Sequence, residues 1–308
     1  MANTRFHGIV PPIVTPLNPD GSVNHDNLAR HVTHMIEAGV DGLFAMGSTG
    51  EVAYLTDAER SAIVETVART TAGRVPVIAG AIDLTAARTT EAARRLIDAG
   101  ADAIVTTAPL YAINSEDEIS DHFRHIAANI SAPLFAYDVP VRVHRKLTVG
   151  QLVQLGTEGV IVGVKDSSGD DVFFRRLIAA NKAAGSPLAL FTGHELLVDV
   201  MAQIGADGAV PGLANVDCAA YVRLWKAAKS GDMATALHEQ EHLNRVFEIV
   251  FSSTGRSGDA AGVGAFKAAM AQLGLLDSAT MAFPVRALEG APVEKIRAIL
   301  HDTGLPAR

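Results

Sequence analysis

The chain has 308 residues, 48% of them hydrophobic, and a formal net charge of −8. That length and apolar content suit one large α/β domain or two ordinary ones, and the acidic balance argues against an extended nucleic-acid surface, which needs clustered cations to neutralise phosphates. A single cysteine, Cys218, rules out an intrachain disulfide framework; with no apolar leader at the start and no run long enough to span a bilayer, the reading is a soluble cytoplasmic protein with no membrane partner.

Short apolar strands then alternate with amphipathic helices. The first strand is expected at 9–14, where Pro11-Pro12 interrupts it, and the first helix at 26–38. Strand 42–45 runs into Gly47-Ser48-Thr49-Gly50-Glu51 and a helix at 56–70; strand 75–79 precedes helix 85–99; strand 103–106 precedes Pro109-Leu110-Tyr111 and helix 116–129. Strand 133–137 and helix 148–155 lead to the run Gly159-Val160-Ile161-Val162-Gly163-Val164-Lys165, read as the sixth strand, and to helix 170–184. Strand 188–192 with helix 195–204 and strand 209–210 with helix 218–229 complete about eight strand–helix units in residues 1–230, the count and size of a (β/α)8 TIM barrel. Ala38-Gly39-Val40-Asp41-Gly42, Ala99-Gly100-Ala101-Asp102-Ala103 and Ile204-Gly205-Ala206-Asp207-Gly208 repeat one phrase, each putting glycine just past a helix where a left-handed cap is needed. An open doubly wound sheet would carry a glycine-rich fingerprint after its first strand, and none is present. In residues 231–308 the strands stop, and helices expected at 233–251, 262–273 and 292–300 form a small C-terminal appendage with a packing or assembly role.

A Val/Ile run bounded by glycines fits a strand covered on both faces, and lysine is an unusual residue to end one. Burial disfavours an ammonium, which is how an amine becomes a nucleophile towards carbonyl carbon. The stretch itself leaves two readings open: Lys165 as a Schiff-base lysine, or a lysine snorkelling from the sheet end to water. The other six lysines, Lys182, Lys226, Lys229, Lys267 and Lys295 in helical patterns and Lys146 in a polar loop, read as solvated surface charges. Tyr137 ends the fifth strand, and strands about 4.8 Å apart let a tyrosine and a lysine at neighbouring ends face one pocket. In the Gly47-Ser48-Thr49-Gly50 turn, backbone N–H groups can converge on a carboxylate while the hydroxyls add donors. His238-Glu239-Gln240-Glu241-His242 spells a zinc-protease pattern but lacks the metzincin extension, and it reads as a polar helix face with no metal.

Three ordered motifs, Gly47-Ser48-Thr49-Gly50-Glu51, Tyr137-Asp138-Val139-Pro140 and Gly163-Val164-Lys165-Asp166-Ser167-Ser168-Gly169, resemble the dihydrodipicolinate synthase and N-acetylneuraminate lyase family of Schiff-base-forming class I pyruvate aldolases. The resemblance runs from Phe6-His7-Gly8 through Gly212-Leu213-Ala214-Asn215-Val216 and into the C-terminal helices. It implies an imine between Lys165 and pyruvate, proton transfer by Tyr137 and Ser48, and a pyruvate carboxylate held by Ser48 and Thr49, with Gly47 in the substrate-binding set and no metal or organic cofactor. It implies too that Tyr111 completes the proton relay of a neighbouring subunit in a homotetramer built as a dimer of dimers. Arg142 matches the arginine that synthases keep for the carboxylate of aspartate semialdehyde, so the favoured expectation is a dihydrodipicolinate synthase of lysine biosynthesis. Several residues depart from that pattern: Ser48 for threonine, Leu110 for the first of two tyrosines, Val143-His144 for Thr-Gly, and Gly193-His194-Glu195 for Gly-Asp-Asp. Glu195 lies where a sugar-acid aldolase contacts substrate hydroxyls, and Val210, ending the eighth strand, completes the implied substrate-binding set. The alternatives are a catabolic aldolase or dehydratase on a 2-keto-3-deoxy sugar acid or N-acetylneuraminate and, more remotely, a non-catalytic pyruvate-binding relative.

Overall fold

A computed structural model of the protein describes residues 6–305. Eight short parallel strands, β1 Gly8–Ile9, β2 Leu43–Ala45, β3 Val77–Gly80, β4 Ala103–Thr106, β5 Leu134–Asp138, β6 Gly163–Asp166, β7 Ala189–Thr192 and β8 Gly208–Ala209, form one sheet in the order β1-β8-β7-β6-β5-β4-β3-β2. The two remaining edges meet where Pro12 pairs with Phe44. There the Phe44 N–H donates to Pro11 O and the Ile13 N–H to Phe44 O, both at 2.9 Å, and the (β/α)8 barrel is closed. The first strand is shorter than the expected 9–14 because Pro11 and Pro12 bring no N–H to a ladder; the closure uses the Pro11 carbonyl and the Ile13 N–H on either side of Pro12.

Helices α1 His25–Ala38, α2 Asp57–Thr71, α3 Ala86–Asp98, α4 Glu116–Ala128, α5 Pro140–Val143, α6 Val149–Thr157, α7 Asp171–Ala183, α8 Val198–Ile204 and α9 Cys218–Ser230 connect the strands and follow the last of them, α5 being a single turn in the loop after β5. Then come α10 Met233–Phe247, α11 Gly258–Ala261, α12 Val263–Gln272 and α13 Ala291–Asp302. Two helix expectations were too long. The segment after β7 starts as a 3-10 turn, Glu195–Leu197, and becomes α-helical where Gln240 Oε1 accepts from the N–H groups of Val198 and Asp199 at 2.7 and 3.3 Å, a cap borrowed from α10. The far end of the expected 233–251 helix is likewise a 3-10 turn, Glu248–Phe251.

The repeated phrase gains a second physical meaning. Gly39, Gly100 and Gly205 have φ of 91°, 102° and 110°, the left-handed caps expected. The aspartate two residues on reaches across to a neighbouring strand: Asp41 accepts from Ile9 N–H at 2.8 Å, Asp102 from Val77 N–H at 2.9 Å and Asp207 from Leu190 N–H at 2.8 Å. Each satisfies a backbone donor at a strand start that the ladder leaves over.

Side chains alternate along each strand, so Phe135 and Tyr137 on β5, and Gly163 and Lys165 on β6, share the inward face. Phe135 meets Phe6 and Phe191 edge to face, with centroids 5.2 and 6.1 Å apart. A Cβ at Gly163 would stand 2.3 Å from the Phe135 ring, so glycine is what lets the ring fill the barrel. Full burial of such a ring stabilises by roughly 1.5–3 kcal/mol. These aromatics form the floor on which the inward residues one layer higher, Tyr137 and Lys165, stand. Residues of α10, α12 and α13, among them Leu243, Phe266, Met270, Ile296 and Leu300, join the same hydrophobic core as the barrel. Among the described residues no helix is long and apolar enough to cross a membrane.

Candidate active site

Tyr137 and Lys165 are register partners at the ends of β5 and β6 and are almost wholly buried, at 3% and 6% exposure. The Lys165 Nζ lies 4.3 Å from the Tyr137 ring centroid and 4.7 Å from that of Phe44 on β2, so the amine sits between two aromatic faces. The Tyr137 hydroxyl takes hydrogen bonds from Ser48, Ser167 and Lys165. Burial pushes this phenol up, but the Lys165 charge and the three donors outweigh it and hold the hydroxyl below the usual tyrosine range. A buried amine and an acidified phenol in contact, with a serine leading outward, can move protons at a carbon bound to the amine. Three of the expected residues, Lys165, Tyr137 and Ser48, are thus together.

The loop after β2 carries two more, Gly47 and Thr49, beside Ser48. Gly47 O accepts from Gly50 N–H at 3.0 Å and from Val52 N–H at 3.4 Å, and Ser48 O accepts from Glu51 N–H at 3.0 Å. Within the described residues the N–H groups of Ser48 and Thr49 have no acceptor, which leaves two adjacent donors for an anion. Thr15 Oγ1 donates to Gly50 O at 2.8 Å and ties the loop to the segment after β1.

A cavity of about 250 Å³ opens above Ser48 and Tyr137. Its walls include Glu51 and Tyr54 from the β2 side, Thr107 and Leu110 from the loop after β4, and Val139, Arg142 and Val143 after β5. Asp259 of α11 also lines it, a residue from the C-terminal appendage that the sequence reading did not single out. Arg142 donates through both terminal nitrogens to the two oxygens of Asp259, and the Tyr54 hydroxyl donates to Asp259 Oδ2 at 2.6 Å. Burial pushes the Asp259 carboxyl up, yet the bonds from Arg142 and Tyr54 hold it below the usual range; donating its proton to that carboxylate and being partly buried push the Tyr54 phenol up to about 12. The Arg142 charge therefore faces the cavity already matched by a carboxylate.

The remaining expected residues lie around this centre. Thr49 is half-buried beside Ser48. Glu195 turns its carboxyl to the Leu213 N–H and does not line the cavity; burial pushes it up to about 7, against the Leu213 and Gly212 N–H groups and the Lys165 charge. Val210 donates its N–H to Thr192 O at 2.8 Å and is not a wall residue either. Tyr111, in the loop after β4, is 98% exposed with φ of 68° and does not line the cavity. In the zinc-like pattern, Glu239 forms a two-point bond with Arg223 and His242 Nε2 lies 2.8 Å from Asp217, so these residues join α10 to α9.

Two lysines read as surface charges are not. Lys267 has no exposed side-chain surface: it pairs with Glu51 and donates to Thr280 O at 2.9 Å. The reading failed because α12 is buried from Val263 to Met270, a setting that helical periodicity in an Ala-rich stretch does not disclose. Lys146 lies over the Phe173 ring, bonds Asp138 and stands 3.9 Å from Asp166. Asp138 and Asp166 follow Tyr137 and Lys165 on the opposite face of their strands; burial pushes Asp138 up to about 6 despite Lys146, and raises Asp166 as well. Asp138 also accepts from Leu147 N–H at 3.2 Å, so the loop carrying Val139, Arg142 and Val143 is pinned at both ends. Both aspartates stood inside quoted motifs; Lys146 had no signal beyond its charge.

The description "Dihydrodipicolinate synthetase family" belongs to a family model that matches residues 5–303. Among curated relatives, an uncharacterized DapA-like lyase of Halobacterium salinarum is 32% identical over 97% of this chain and 95% of its own length. A 4-hydroxy-tetrahydrodipicolinate synthase of Phenylobacterium zucineum is 32% identical over 99% of this chain and the whole of its own. Among solved structures, YagE from E. coli K12, a prophage protein of the dihydrodipicolinic acid synthase family crystallised with pyruvate, superposes with a TM-score of 0.91 at 28% identity, covering 97% of this chain and 99% of that one.

Proposed function

The chain belongs to the dihydrodipicolinate synthetase family, and from that premise we propose that it is a lyase that binds pyruvate, or a pyruvate-derived keto acid, as an imine on Lys165. The observation that carries the reading is the contact of the Lys165 amine with Tyr137 at paired strand ends, with Ser48 bonded to the same hydroxyl. The amine adds to the ketone carbon, water leaves, and the imine draws electrons from the neighbouring carbon, so that a C–C bond there can form or break. Tyr137 carries protons to and from the intermediates and Ser48 links it to the cavity. The free N–H groups of Ser48 and Thr49 receive the keto-acid carboxylate. The imine is itself the electron sink, so the proposal calls for no cofactor. Tyr111, exposed and absent from the wall of its own cavity, is assigned to the site of a neighbouring subunit in a homotetramer.

For the aldehyde partner the geometry favours a neutral, hydroxylated chain, as released from a 2-keto-3-deoxy sugar acid, because the one arginine that the described residues bring to the cavity wall is charge-matched by Asp259 and a second hydroxyl, Tyr54, lies beside it. Condensation with aspartate semialdehyde is the second reading, supported by Arg142 in that wall and by relatives named 4-hydroxy-tetrahydrodipicolinate synthase. Borohydride with pyruvate should leave one reduced adduct, on the Lys165 peptide. An unmodified Lys165, or an adduct on another lysine, rejects the imine. Coupling pyruvate with aspartate semialdehyde, glyceraldehyde and N-acetylmannosamine then ranks the partners.

A further inference from the structure

We infer that Lys267, far from the barrel strands in sequence, is a positioning residue for the loop that receives the keto-acid carboxylate; the inference rests on the imine reading above. Its amine is fully enclosed, and lysine is almost never so buried unless paired. The partner is Glu51, two residues past Thr49 and part of the cavity wall. Both Glu51 oxygens are taken by the C-terminal segment, one by Lys267 and the other by Ala282 N–H at 2.8 Å. Lys267 is fixed in turn by Thr280 O at 2.9 Å.

What this clamp holds is a strained turn. Met46 and Glu51 bracket the loop, and both are non-glycine residues in the left-handed region, with φ of 59° and 58°. Such residues persist there only where the surroundings over-determine them. Between them lie Ser48 and Thr49 with their two uncommitted N–H groups. The barrel contributes one side-chain tie, Thr15 to Gly50 O, and the Lys267–Glu51–Ala282 contacts supply the other. Without the charge on Lys267, the Glu51 carboxylate is left buried with only the Ala282 N–H, and the turn is free to take more ordinary backbone angles that displace the two N–H groups. The C-terminal helices thereby help to shape a pocket whose chemistry lies wholly on the barrel.

The test compares two ketones that differ only in the group the loop should read. The parent, Lys267→Met, and the Glu51→Gln/Lys267→Met pair, which leaves no lone buried charge and so guards against misfolding of the single variant, are treated with borohydride and either pyruvate or acetone. The Lys165 peptide is followed by mass spectrometry. The pyruvate concentration giving half-maximal trapping should rise roughly ten- to hundredfold in the variants, the scale of losing a hydrogen bond to a charged group. The preference for pyruvate over acetone should shrink by the same factor. A parent-like pyruvate dependence overturns the inference, and so does a parallel loss for both ketones, which marks a general structural role. Failure of the parent protein to trap pyruvate is a separate result that rejects the imine, and this inference with it.

Discussion

At the scale of single residues, the site depends on Tyr137 being both buried and acidified. Burial alone would raise its phenol and make it a poor proton carrier; the adjacent Lys165 charge and the donors from Ser48 and Ser167 reverse that. Tyr137→Phe keeps the ring that packs edge to face on Phe44 at 6.3 Å and removes only the hydroxyl. Turnover on the best aldehyde of the panel should therefore drop by about 10² or more at a nearly unchanged melting temperature. Parent-like turnover in that variant would make the hydroxyl structural. Lys165 stood out in the sequence as an amine ending a Val/Ile run and Tyr137 as its neighbour at the next strand end, although that stretch alone left a snorkelling lysine open; the fold pairs the two in register. Lys267 was not legible, since an Ala-rich helix looks the same in sequence whether its neighbours are water or other helices.

Among elements, the loop after β5 and the single turn α11 decide what the cavity presents. Arg142 was expected to meet a substrate carboxylate; it lines the cavity wall with its guanidinium on Asp259. Asp259, whose partner lies 117 residues earlier in the chain, changes the charge that the arginine offers. No local pattern marks Asp259, because the pair exists only once the appendage folds over the barrel mouth. Asp259→Asn should release the guanidinium and raise kcat/KM for aspartate semialdehyde relative to glyceraldehyde by roughly tenfold or more, since a hydrogen bond to a charged group is worth about 1.5–3 kcal/mol. Arg142→Ala in the same background should abolish that gain. If Asp259→Asn leaves the ratio of the two aldehydes unchanged, the Arg142–Asp259 pair does not set partner choice, and the preference for a neutral partner loses its support.

For the whole molecule, the barrel was legible because one unit recurs: glycine cap, aspartate, strand. The glycines follow from their place just past a helix, but the hydrogen bonds of Asp41, Asp102 and Asp207 to neighbouring strands appear only when the strands lie side by side. The same packing buries titratable groups of both signs, and stability against pH follows from them. His31 and His122 are enclosed, each using Nε2 on Asn215 Oδ1 and Thr107 O at 3.0 and 3.1 Å; burial pulls both down to about 4. They stay neutral in the folded chain, while in the unfolded chain they protonate near pH 6.5. Between pH 6.5 and 4 the unfolded state therefore binds more protons, so their contribution is intact above pH 6.5 and is lost as pH falls towards 4, by about 3 kcal/mol for each. Asp138 and Glu195, pushed up to about 6 and 7, act in the opposite direction: the folded state holds their protons longer, and their contribution is lost as pH rises through those values. Two groups of each sign offset one another across the window. The contribution of His31 is exposed by comparison with His31→Gln, in which the amide can replace the Nε2 hydrogen bond but does not titrate. The unfolding free energy of the parent minus that of His31→Gln should fall by about 3 kcal/mol between pH 7 and pH 4, measured by urea denaturation at each pH. A difference independent of pH would mean that His31 is protonated inside the fold or reached by water.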